Sequence, residues 1–495
     1  MAVTDLPEAD FGICGLDQIL APGVPRETLL LLQGVPGSGK TTLALQFLLR
    51  GVAKGESSLL VSNAETPAQI ERVAASHGWT LDGLHVLNWS DQSGDARQPD
   101  ADDYTLFPEA EVEVGETLGQ LFAEVDRVRP SRLVVDTISA LRALAPTPAY
   151  YRRQLRRLRN FMIPYACTTI VIDDGLATEK DARSQTLSDG IIELQQLDLN
   201  YGGDRRRLRI RKMRGTTYIG GYHDFRIEKG GLAVFPRLVA ASREVLDQHD
   251  LPALSGVAEL DGLVGGGLPR GSSTLVMGPA GSGKSSLAAT YVRAAAGRGE
   301  RTALCLFDES VRTCFVRCKG LGIDMEGMVA SGQVIVDHLD PAERTPGEIA
   351  GLIVRQVEEC DVRIVVLDTL NGYLQSAAEE PMVLLHLREL LTYLARRRVV
   401  TVLILTQHGI LGAEMATPVD VSFLADNVLL LRFFEADGSI RQVLSVVKKR
   451  EGKHERTIRE FSLAADGVHL SEPLTDFAGL LSGAPYRVGH ADVQR

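Results

Sequence analysis

Gly34-Val35-Pro36-Gly37-Ser38-Gly39-Lys40-Thr41 is a complete phosphate-binding loop of the pattern G-x-x-x-x-G-K-[ST]. The apolar run 29–32 before it predicts a buried strand, and the apolar stretch 43–49 after it predicts a helix. The loop glycines let backbone N–H groups face phosphates, and the helix N-terminus adds partial positive charge. We therefore predict a nucleotide site in which Lys40 reaches the β- and γ-phosphates and Thr41 holds Mg²⁺.

The same loop occurs a second time, as Gly278-Pro279-Ala280-Gly281-Ser282-Gly283-Lys284-Ser285, after the apolar run 274–277. The sequence before it repeats as well, because Gly267-Leu268-Pro269-Arg270 corresponds to Gly23-Val24-Pro25-Arg26. Self-similarity of this kind indicates one architecture present twice. We predict two P-loop domains, residues 1–242 and 243–495, with the boundary in a polar stretch near residues 240–254.

Apolar strands alternate with helical stretches in both halves. Two of these strands end in aspartate, 133–136 and 364–368, and another buried strand follows each, 168–172 and 399–405. The alternation predicts α/β domains with mostly parallel sheets covered by helices on both faces. The acidic stretch 91–103, which lacks aliphatic residues larger than alanine, predicts a solvated loop.

Length and composition limit the class of protein. A chain of 495 residues is too long for one hydrophobic core and fits two or three domains. No apolar run reaches the roughly 18 residues that span a bilayer, and residues 1–10 lack the apolar core of a secretory signal. The net charge of −11 argues against a general nucleic-acid-coating protein. Six cysteines, Cys314 and Cys318 among them, predict reduced thiols and a cytoplasmic location.

The predicted nucleotide contacts are loop residues and the first residues of the helix after each loop. They are Gly37, Ser38, Gly39, Lys40, Thr41 and Thr42, and Gly281, Ser282, Gly283, Lys284, Ser285 and Ser286. Asp136 and Asp368 each end a buried strand, where a carboxylate can orient Mg²⁺ or its water. The alternative is that each aspartate caps a turn.

Acidic residues follow another strand in each half. Asp308 and Glu309 form a pair in the second half, and Glu65 stands alone after Ala64 in the first. A carboxylate near the γ-phosphate can accept a proton from water or from a hydroxyl, so we predict catalytic duty for all three. The alternative is an exposed carboxylate at a strand end.

A basic segment ends each half: Lys212-Met213-Arg214-Gly215-Thr216 and Lys448-Lys449-Arg450-Glu451-Gly452. Cations two residues apart on a strand share a face and could neutralise phosphate charge from a neighbouring subunit. A solvated basic edge strand is the alternative. The tract 152–159 is also basic, and its leucine spacing predicts an amphipathic helix whose arginines face solvent, DNA or an acidic partner.

These residues together resemble the KaiC family, RecA-superfamily ATPases and autokinases of bacterial clocks and their relatives. The resemblance covers nearly the whole chain. It is carried by the duplicated lead-ins before both phosphate loops and by LSDGIIELQ (187–195), RRLRIRKMRGT (206–216) and TIREF (457–461). It implies two tandem RecA-like P-loop NTPase domains, of which the second is the autokinase.

The resemblance also implies a homohexameric ring of two layers, with ATP and Mg²⁺ between neighbouring subunits and KaiB-like signalling partners. Contacts from the neighbouring subunit would be Lys212, Met213, Arg214 and Thr216 in the first layer, and Lys448 and Arg450 in the second. Ser76 matches a nucleotide-contact position. Asp308 and Glu309 match two glutamates that serve Mg²⁺ binding and proton abstraction.

Three departures from the family pattern bear on function. The family carries adjacent Ser-Thr phosphoacceptors where this chain has Ser422-Phe423, so Ser422 and the nearby Thr417 are the candidate acceptors. Ala64 replaces an acid in the first half. Glu451 replaces a glycine beside the second set of cations.

Three functions are therefore open. The first is a KaiC-like ATPase that phosphorylates itself on Ser422. The second is a signalling scaffold in which ATP only holds the ring together. The third is a recombinase-like DNA-dependent ATPase, which the basic tract favours and the net charge opposes.

Overall fold

The computed structural model describes residues 8–63, 65–88, 109–138, 147–174, 187–198, 201–239, 251–377, 380–407, 421–481 and 486–487. The chain forms two compact units. The first comprises Met1–Asn200 and Asp204–Arg237, and the second comprises Tyr201–Gly203 and Leu238–Arg495. The exact boundary after residue 242 stays a prediction, because residues 240–250 lie outside the described part. The stretch 91–103, Ala64 and Thr417 lie outside it as well.

The first unit is built on one nine-stranded sheet with a small two-stranded sheet beside it. Its strands are β1 (Glu8–Ala9), β2 (Val24–Pro25), β3 (Leu29–Gly34), β4 (Ser58–Ser62), β5 (Leu84–Asn88), β6 (Arg132–Asp136), β7 (Thr168–Asp173), β8 (Gly190–Leu197), β9 (Arg205–Met213), β10 (His223–Glu228) and β11 (Gly231–Phe235). The large sheet has the order β11-β10-β9-β8-β3-β7-β6-β4-β5. Its strands are parallel from β8 to β5, and antiparallel strands extend it from β8 to β11.

The second unit repeats this plan. Its strands are β12 (Ser273–Pro279), β13 (Arg301–Leu306), β14 (Val334–His338), β15 (Val362–Asp368), β16 (Val400–Gln407), β17 (Asn427–Ala436), β18 (Ser439–Lys449), β19 (Ile458–Ala464), β20 (Gly467–Pro473), β21 (Phe477–Ala478) and β22 (Tyr486–Arg487). The large sheet has the order β14-β13-β15-β16-β12-β17-β18-β19-β20. It is parallel from β14 to β17 and antiparallel from there to β20.

Helices cover both faces of each large sheet. In the first unit they are α1 (Cys14–Leu20), α2 (Lys40–Ala53), α3 (Pro67–Ser76), α4 (Glu109–Val128) and α5 (Pro148–Met162). In the second they are α6 (Ala258–Leu263), α7 (Lys284–Gly297), α8 (Val311–Lys319), α9 (Met325–Ala330), α10 (Pro346–Cys360), α11 (Leu370–Gln375) and α12 (Glu380–Arg396). Buried apolar residues form a separate cluster on each face of both sheets. The predicted fold class is confirmed.

The central strands β3, β6 and β7 are buried along their whole length because they are covered on both faces. All six residues of β3 are buried, and its register with β7 pairs Leu29 with Thr169. Neither basic strand is an edge strand: β9 lies between β8 and β10, and β18 lies between β17 and β19. The ladders with β10 and β19 cover only residues 206–208 and 442–445, so the basic ends 212–213 and 448–449 lie beyond them, and the edge-strand alternative stays open.

The basic tract 152–159 lies on α5, as its spacing predicts. Leu155 and Leu158 are buried, and the arginines lie on the other side of the helix. Arg159 forms an ion pair of 2.8 Å with Asp189, and the Arg157 guanidinium lies over the Phe122 ring. These contacts within the first unit favour a stabilised helix surface over a nucleic-acid contact.

Arg132, the first residue of β6, has a fully buried side chain. Its Nη1 donates to the carbonyl oxygen of Phe47 at 2.9 Å, and its Nε pairs with Glu56. Its Nη2 lies 3.3 Å from Asp10 Oδ1, so the guanidinium ties the start of the described chain to α2 and β6.

In the described part of the chain, no helix is both long and apolar enough to cross a bilayer.

Candidate nucleotide-binding sites

Each phosphate loop ends at a helix that lacks a side-chain cap. Gly39 precedes α2 with a φ of 99°, and Gly283 precedes α7 with a φ of 89°. By contrast, Thr66 caps α3 and Ser310 caps α8 with a side-chain oxygen. The first N–H groups of α2 and α7 therefore have no side-chain acceptor, and an anion can take that place.

Glycine is favoured at the end of the first loop chiefly by the backbone conformation. A Cβ on Gly39 would lie 2.7 Å from Ile227 Cδ1, so the end of that side chain would have to move. The φ of 99° also belongs to the left-handed region that glycine adopts most easily. Gly39 thus lets the loop backbone adopt the conformation in which α2 begins directly after the loop.

The two loop lysines are buried and held on loop carbonyls. Lys40 Nζ donates to the carbonyl oxygens of Gly34 and Val35, each at 2.9 Å, and Lys284 Nζ donates to that of Pro279 at 2.7 Å. Burial lowers the pKa of Lys284 to about 8, an effect that Asp368 partly opposes. Buried amines at the mouth of such loops are suited to bind phosphate oxygens.

One serine in each loop has a buried hydroxyl that lacks a hydrogen-bond partner. These are Ser38 and Ser282, which occupy equivalent positions. Buried polar atoms are nearly always paired in native proteins, so an unpaired one at the same place in both loops indicates a missing partner. A phosphate oxygen or a bound water would supply it. Thr42 and Ser286, which follow in α2 and α7, are buried.

A hydroxyl and a buried carboxylate lie together beside each loop. Thr41 Oγ1 donates to Asp136 Oδ2 at 3.0 Å, and Ser285 donates to Asp368 in the same way. Burial raises the pKa of both carboxyl groups to about 6, against the opposing effect of these hydrogen bonds. Because a nearby cation would stabilise the ionised form, these carboxylates fit a divalent metal.

The donor set is the one that Mg²⁺ prefers, namely hydroxyl and carboxylate oxygens. Among the described residues, no group of three or more His, Cys, Asp or Glu side chains could hold a metal ion without other ligands. Mg²⁺ bound here would therefore depend on phosphate oxygens and water, which is its ordinary mode of binding with nucleotides. The residues present fit an ATP·Mg²⁺ complex at both loops.

The acidic residues of the second site lie in the cleft that the second loop forms. Asp308 Oδ2 accepts a hydrogen bond of 2.6 Å from Thr369 Oγ1. Glu309 forms a two-pronged ion pair with Arg317, whose Nε lies 3.4 Å from Glu309 Oε2 while Nη2 binds Oε1. The cleft has a volume of about 950 Å³ and is also lined by Lys284. Asp308 and Glu309 thus line the same cleft as Lys284, and their catalytic role stays a prediction.

Glu65 lies near Asp136, the carboxylate that is expected to hold Mg²⁺ in the first site. One of its carboxylate oxygens, Oε2, is buried without a hydrogen-bond partner, and burial raises the pKa of the group. Glu65 also contributes to the raised pKa of Asp136, which places the two carboxylates in electrostatic contact. Ala64, the position where an acid was expected, lies outside the described residues.

Some residues are expected to contact the nucleotide of a neighbouring subunit. In this structure they contact other parts of their own domain. Arg214 contacts Asp189 at 3.8 Å, and Lys448 Nζ donates to the carbonyl oxygen of Ser422 at 2.9 Å. Arg450 donates to Asp426 at 3.1 Å. Neither Lys448 nor Arg450 is among the residues that line the second cleft. Met213 is buried, and Thr216 is half-buried with a weak contact to the carbonyl of Thr217.

Two further predicted residues lie on elements other than the phosphate loops. Ser76, at the end of α3, is exposed and donates to the carbonyl oxygen of Val73. Ser422 lies in the turn before β17 and does not line the cleft that contains Asp308 and Glu309. In its own subunit, Ser422 and the second-site acids are thus not brought together.

Sequence reasoning missed three site residues. Arg317 lies on α8, eight residues after Glu309, and its long side chain reaches back toward the start of the helix. Thr369, next to Asp368, fixes Asp308. Asp174 follows β7 and lies 3.0 Å from Lys40 Nζ. The acidic Asp173-Asp174 dipeptide after a buried strand was a readable signal, whereas the role of Arg317 depends on tertiary structure.

The family model for the KaiC ATPase matches residues 9–239 and again residues 253–475. The circadian clock protein KaiC3 of Synechocystis sp. is 26% identical over 505 residues, covering 99% of this chain and 97% of the relative. The circadian clock oscillator protein KaiC of Prochlorococcus marinus is 26% identical over 507 residues, with the same coverage. The KaiC of Parathermosynechococcus lividus is 25% identical over 498 residues, covering 98% and 89%.

Proposed function

This chain belongs to the KaiC ATPase family, and on that premise we propose that it hydrolyses ATP at both P-loops and phosphorylates itself in its second domain. The observation that carries the proposal is the content of the second cleft, where Lys284, Asp308 and Glu309 line one cavity together with Ser285 and Asp368. These are the groups that phosphoryl transfer requires: a phosphate cation, metal ligands and a proton acceptor.

In the second site, Lys284 binds the β- and γ-phosphates, and the uncapped N-terminus of α7 binds the phosphate chain. Ser285, Asp308 and Asp368 hold Mg²⁺, which when bound neutralises phosphate charge. Glu309 accepts the proton of the attacking hydroxyl, and it can do so only after Arg317 releases it. In the first site, Lys40, Thr41 and Asp136 act in the same way, and Glu65 orients water for hydrolysis.

The acceptor hydroxyl that we propose is Ser422, with Thr417 as a further candidate. Because Ser422 does not line the cleft of its own domain, we propose that it receives phosphate from a neighbouring copy. A homohexamer with ATP between subunits would provide that neighbour, with Lys212, Arg214, Lys448 and Arg450 facing the adjacent nucleotide. The proposed biological role is a hexameric signalling or clock-type timer with a KaiB-like protein partner.

The experiment is intact-mass measurement after incubation with Mg²⁺-ATP, followed by peptide mapping of any species heavier by about 80 Da, one phosphoryl group. The expected result is a single phosphate on Ser422 that is absent from Ser422→Ala. A fully labelled Ser422→Ala protein would exclude Ser422 as the main acceptor. The Lys284→Ala variant is the control, since it removes the phosphate cation of the donating site and should stay unlabelled.

A second candidate function is an ATPase scaffold without kinase activity. The observation that favours it is the ion pair of Glu309 with Arg317, which occupies both oxygens of the proposed proton acceptor. Phe423, beside Ser422, also replaces the second acceptor of the family. Steady ATP hydrolysis without any phosphoprotein would assign the protein to this class.

A further inference from the structure

Lys40 has a carboxylate counter-ion in the first site. Its Nζ lies 3.0 Å from Asp174 Oδ1, in addition to its hydrogen bonds with the loop carbonyls. Asp174 directly follows β7, and its side chain is 41% exposed. A partly exposed carboxylate therefore already contacts the lysine that must reach the phosphates of a nucleotide.

The second site has a neutral residue at the equivalent position. In the first sheet, Gln33 pairs with Asp173, so the next residue along β7 is Asp174. In the second sheet, Met277 is equivalent to Gln33 and pairs with Leu405, and Gly278 pairs with Thr406. Thr406 thus takes the place of Asp174, and it lines the second cleft.

The environments of the two lysines differ accordingly. Within the described residues, no carboxylate oxygen lies within the 4.0 Å ion-pair distance of Lys284 Nζ, which donates to Pro279. Lys40, by contrast, has the Asp174 carboxylate within hydrogen-bond distance. The two sites therefore differ in the ion pairing of the loop lysine, which is the side chain that must contact the β- and γ-phosphates.

A nucleotide that binds the first loop must displace Asp174 from Lys40. The displaced carboxylate then stays beside the lysine and therefore beside the terminal phosphate, and like charges at this separation repel each other. A triphosphate places more negative charge there than a diphosphate. The same carboxylate already acts on its surroundings, because Asp174 is one cause of the raised pKa of Asp136.

We propose that Asp174 is a specificity-determining residue that lowers the affinity of the first site for nucleoside triphosphate relative to diphosphate. The inference rests on the proposed nucleotide binding at the first loop, and it makes the two sites respond differently to the same ATP/ADP ratio. Asp174 is exposed and isosteric replacement by asparagine keeps its size, so the variant should fold.

The test measures dissociation constants of Mg²⁺-ATP and Mg²⁺-ADP for the full chain, with the second site disabled by Lys284→Ala. Adding Asp174→Asn should tighten ATP binding about tenfold and ADP binding about threefold or less, where tenfold corresponds to about 1.4 kcal/mol. Asp204→Asn is the matched control, because it removes an equal charge from a carboxylate that pairs with Arg206 elsewhere in the domain.

The converse variant is Thr406→Asp in the Lys40→Ala background, which places a carboxylate beside Lys284. It should weaken ATP binding at the second site more than ADP binding. Unchanged or weaker ATP binding in Asp174→Asn would overturn the inference, since a metal ligand or proton acceptor at Asp174 would give that result. If the Lys284→Ala protein bound neither nucleotide, the proposed function of the first site would fail instead.

Discussion

Thr41 Oγ1 donates a hydrogen bond of 3.0 Å to Asp136 Oδ2, so the hydroxyl after the loop lysine is joined to the carboxylate that ends β6. The carboxylate is buried, and its pKa is raised to about 6 by that burial and by Glu65 and Asp174. The charge of Asp136 is thus costly when no cation is present. This relationship gives a prediction about stability as well as about metal binding.

Asp136→Asn should stabilise the nucleotide-free protein at pH 7.5 by about 1–3 kcal/mol, because a pKa rise of about two units corresponds to that range. The folded state binds the proton more tightly than the unfolded state. Stability is therefore lost as pH rises from about 4 through 6, and the advantage of the variant should vanish near pH 4. The measurement is the free energy of unfolding of both proteins, by denaturation in the presence of a chelator at several pH values. A stability difference between them that does not change with pH would contradict the explanation.

Affinity of the second site for ATP should fall as pH rises above about 8. Burial lowers the pKa of Lys284 to about 8, so the free site loses its phosphate cation in that range. In the Lys40→Ala background, we expect the dissociation constant to increase by up to about tenfold per pH unit between pH 8 and 10. Lys284→Arg, whose guanidinium stays charged, should bind with little dependence on pH over the same interval.

Arg317→Gln should raise the rate of phosphoryl transfer or hydrolysis at the second site severalfold. The arginine occupies both carboxylate oxygens of Glu309, and its removal frees them to accept a proton. The measurement is turnover in the Lys40→Ala background. Adding Glu309→Gln should abolish the gain, and a gain that survives this second substitution would assign the effect of Arg317 to another contact.

Arg132→Met should destabilise the first domain by about 1–3 kcal/mol. The substitution leaves the buried Phe47 carbonyl oxygen without its donor and removes one cation from Glu56 and Asp10, which Arg26, Arg50 and Lys54 still pair. Thermal unfolding monitored in the first domain provides the measurement. Arg127→Met, which breaks an exposed pair with Glu124 on α4, is the matched control and should change stability much less.

Local sequence patterns were sufficient for the frame of both sites. The run 29–32 predicted β3, and the terminal aspartates Asp136 and Asp368 were placed correctly at the ends of β6 and β15. These predictions succeed because a phosphate loop requires a strand before it and a helix after it. The same holds for α5, whose apolar spacing fixes the buried side of the helix.

Contacts between different helices and strands could not be predicted from local sequence patterns. The basic strands β9 and β18 are followed in their sheets by antiparallel strands that the sequence did not reveal, although the ladders with those strands stop before the basic ends 212–213 and 448–449. Arg317 and Asp174 were missed because each acts on a residue of another element or turn. A charged side chain has no periodic signature, so its partner follows only from the fold.

The open helix ends at Gly39 and Gly283 have a consequence for the whole chain. The helices that follow lack a side-chain cap of their own, and a nucleotide bound as we propose would complete them. A bound nucleotide would then supply the missing acceptors at the start of α2 and α7. Because it binds only the folded state, its binding free energy adds to the stability of the fold. The stability of the protein should consequently rise and fall with the cellular concentration of nucleotide.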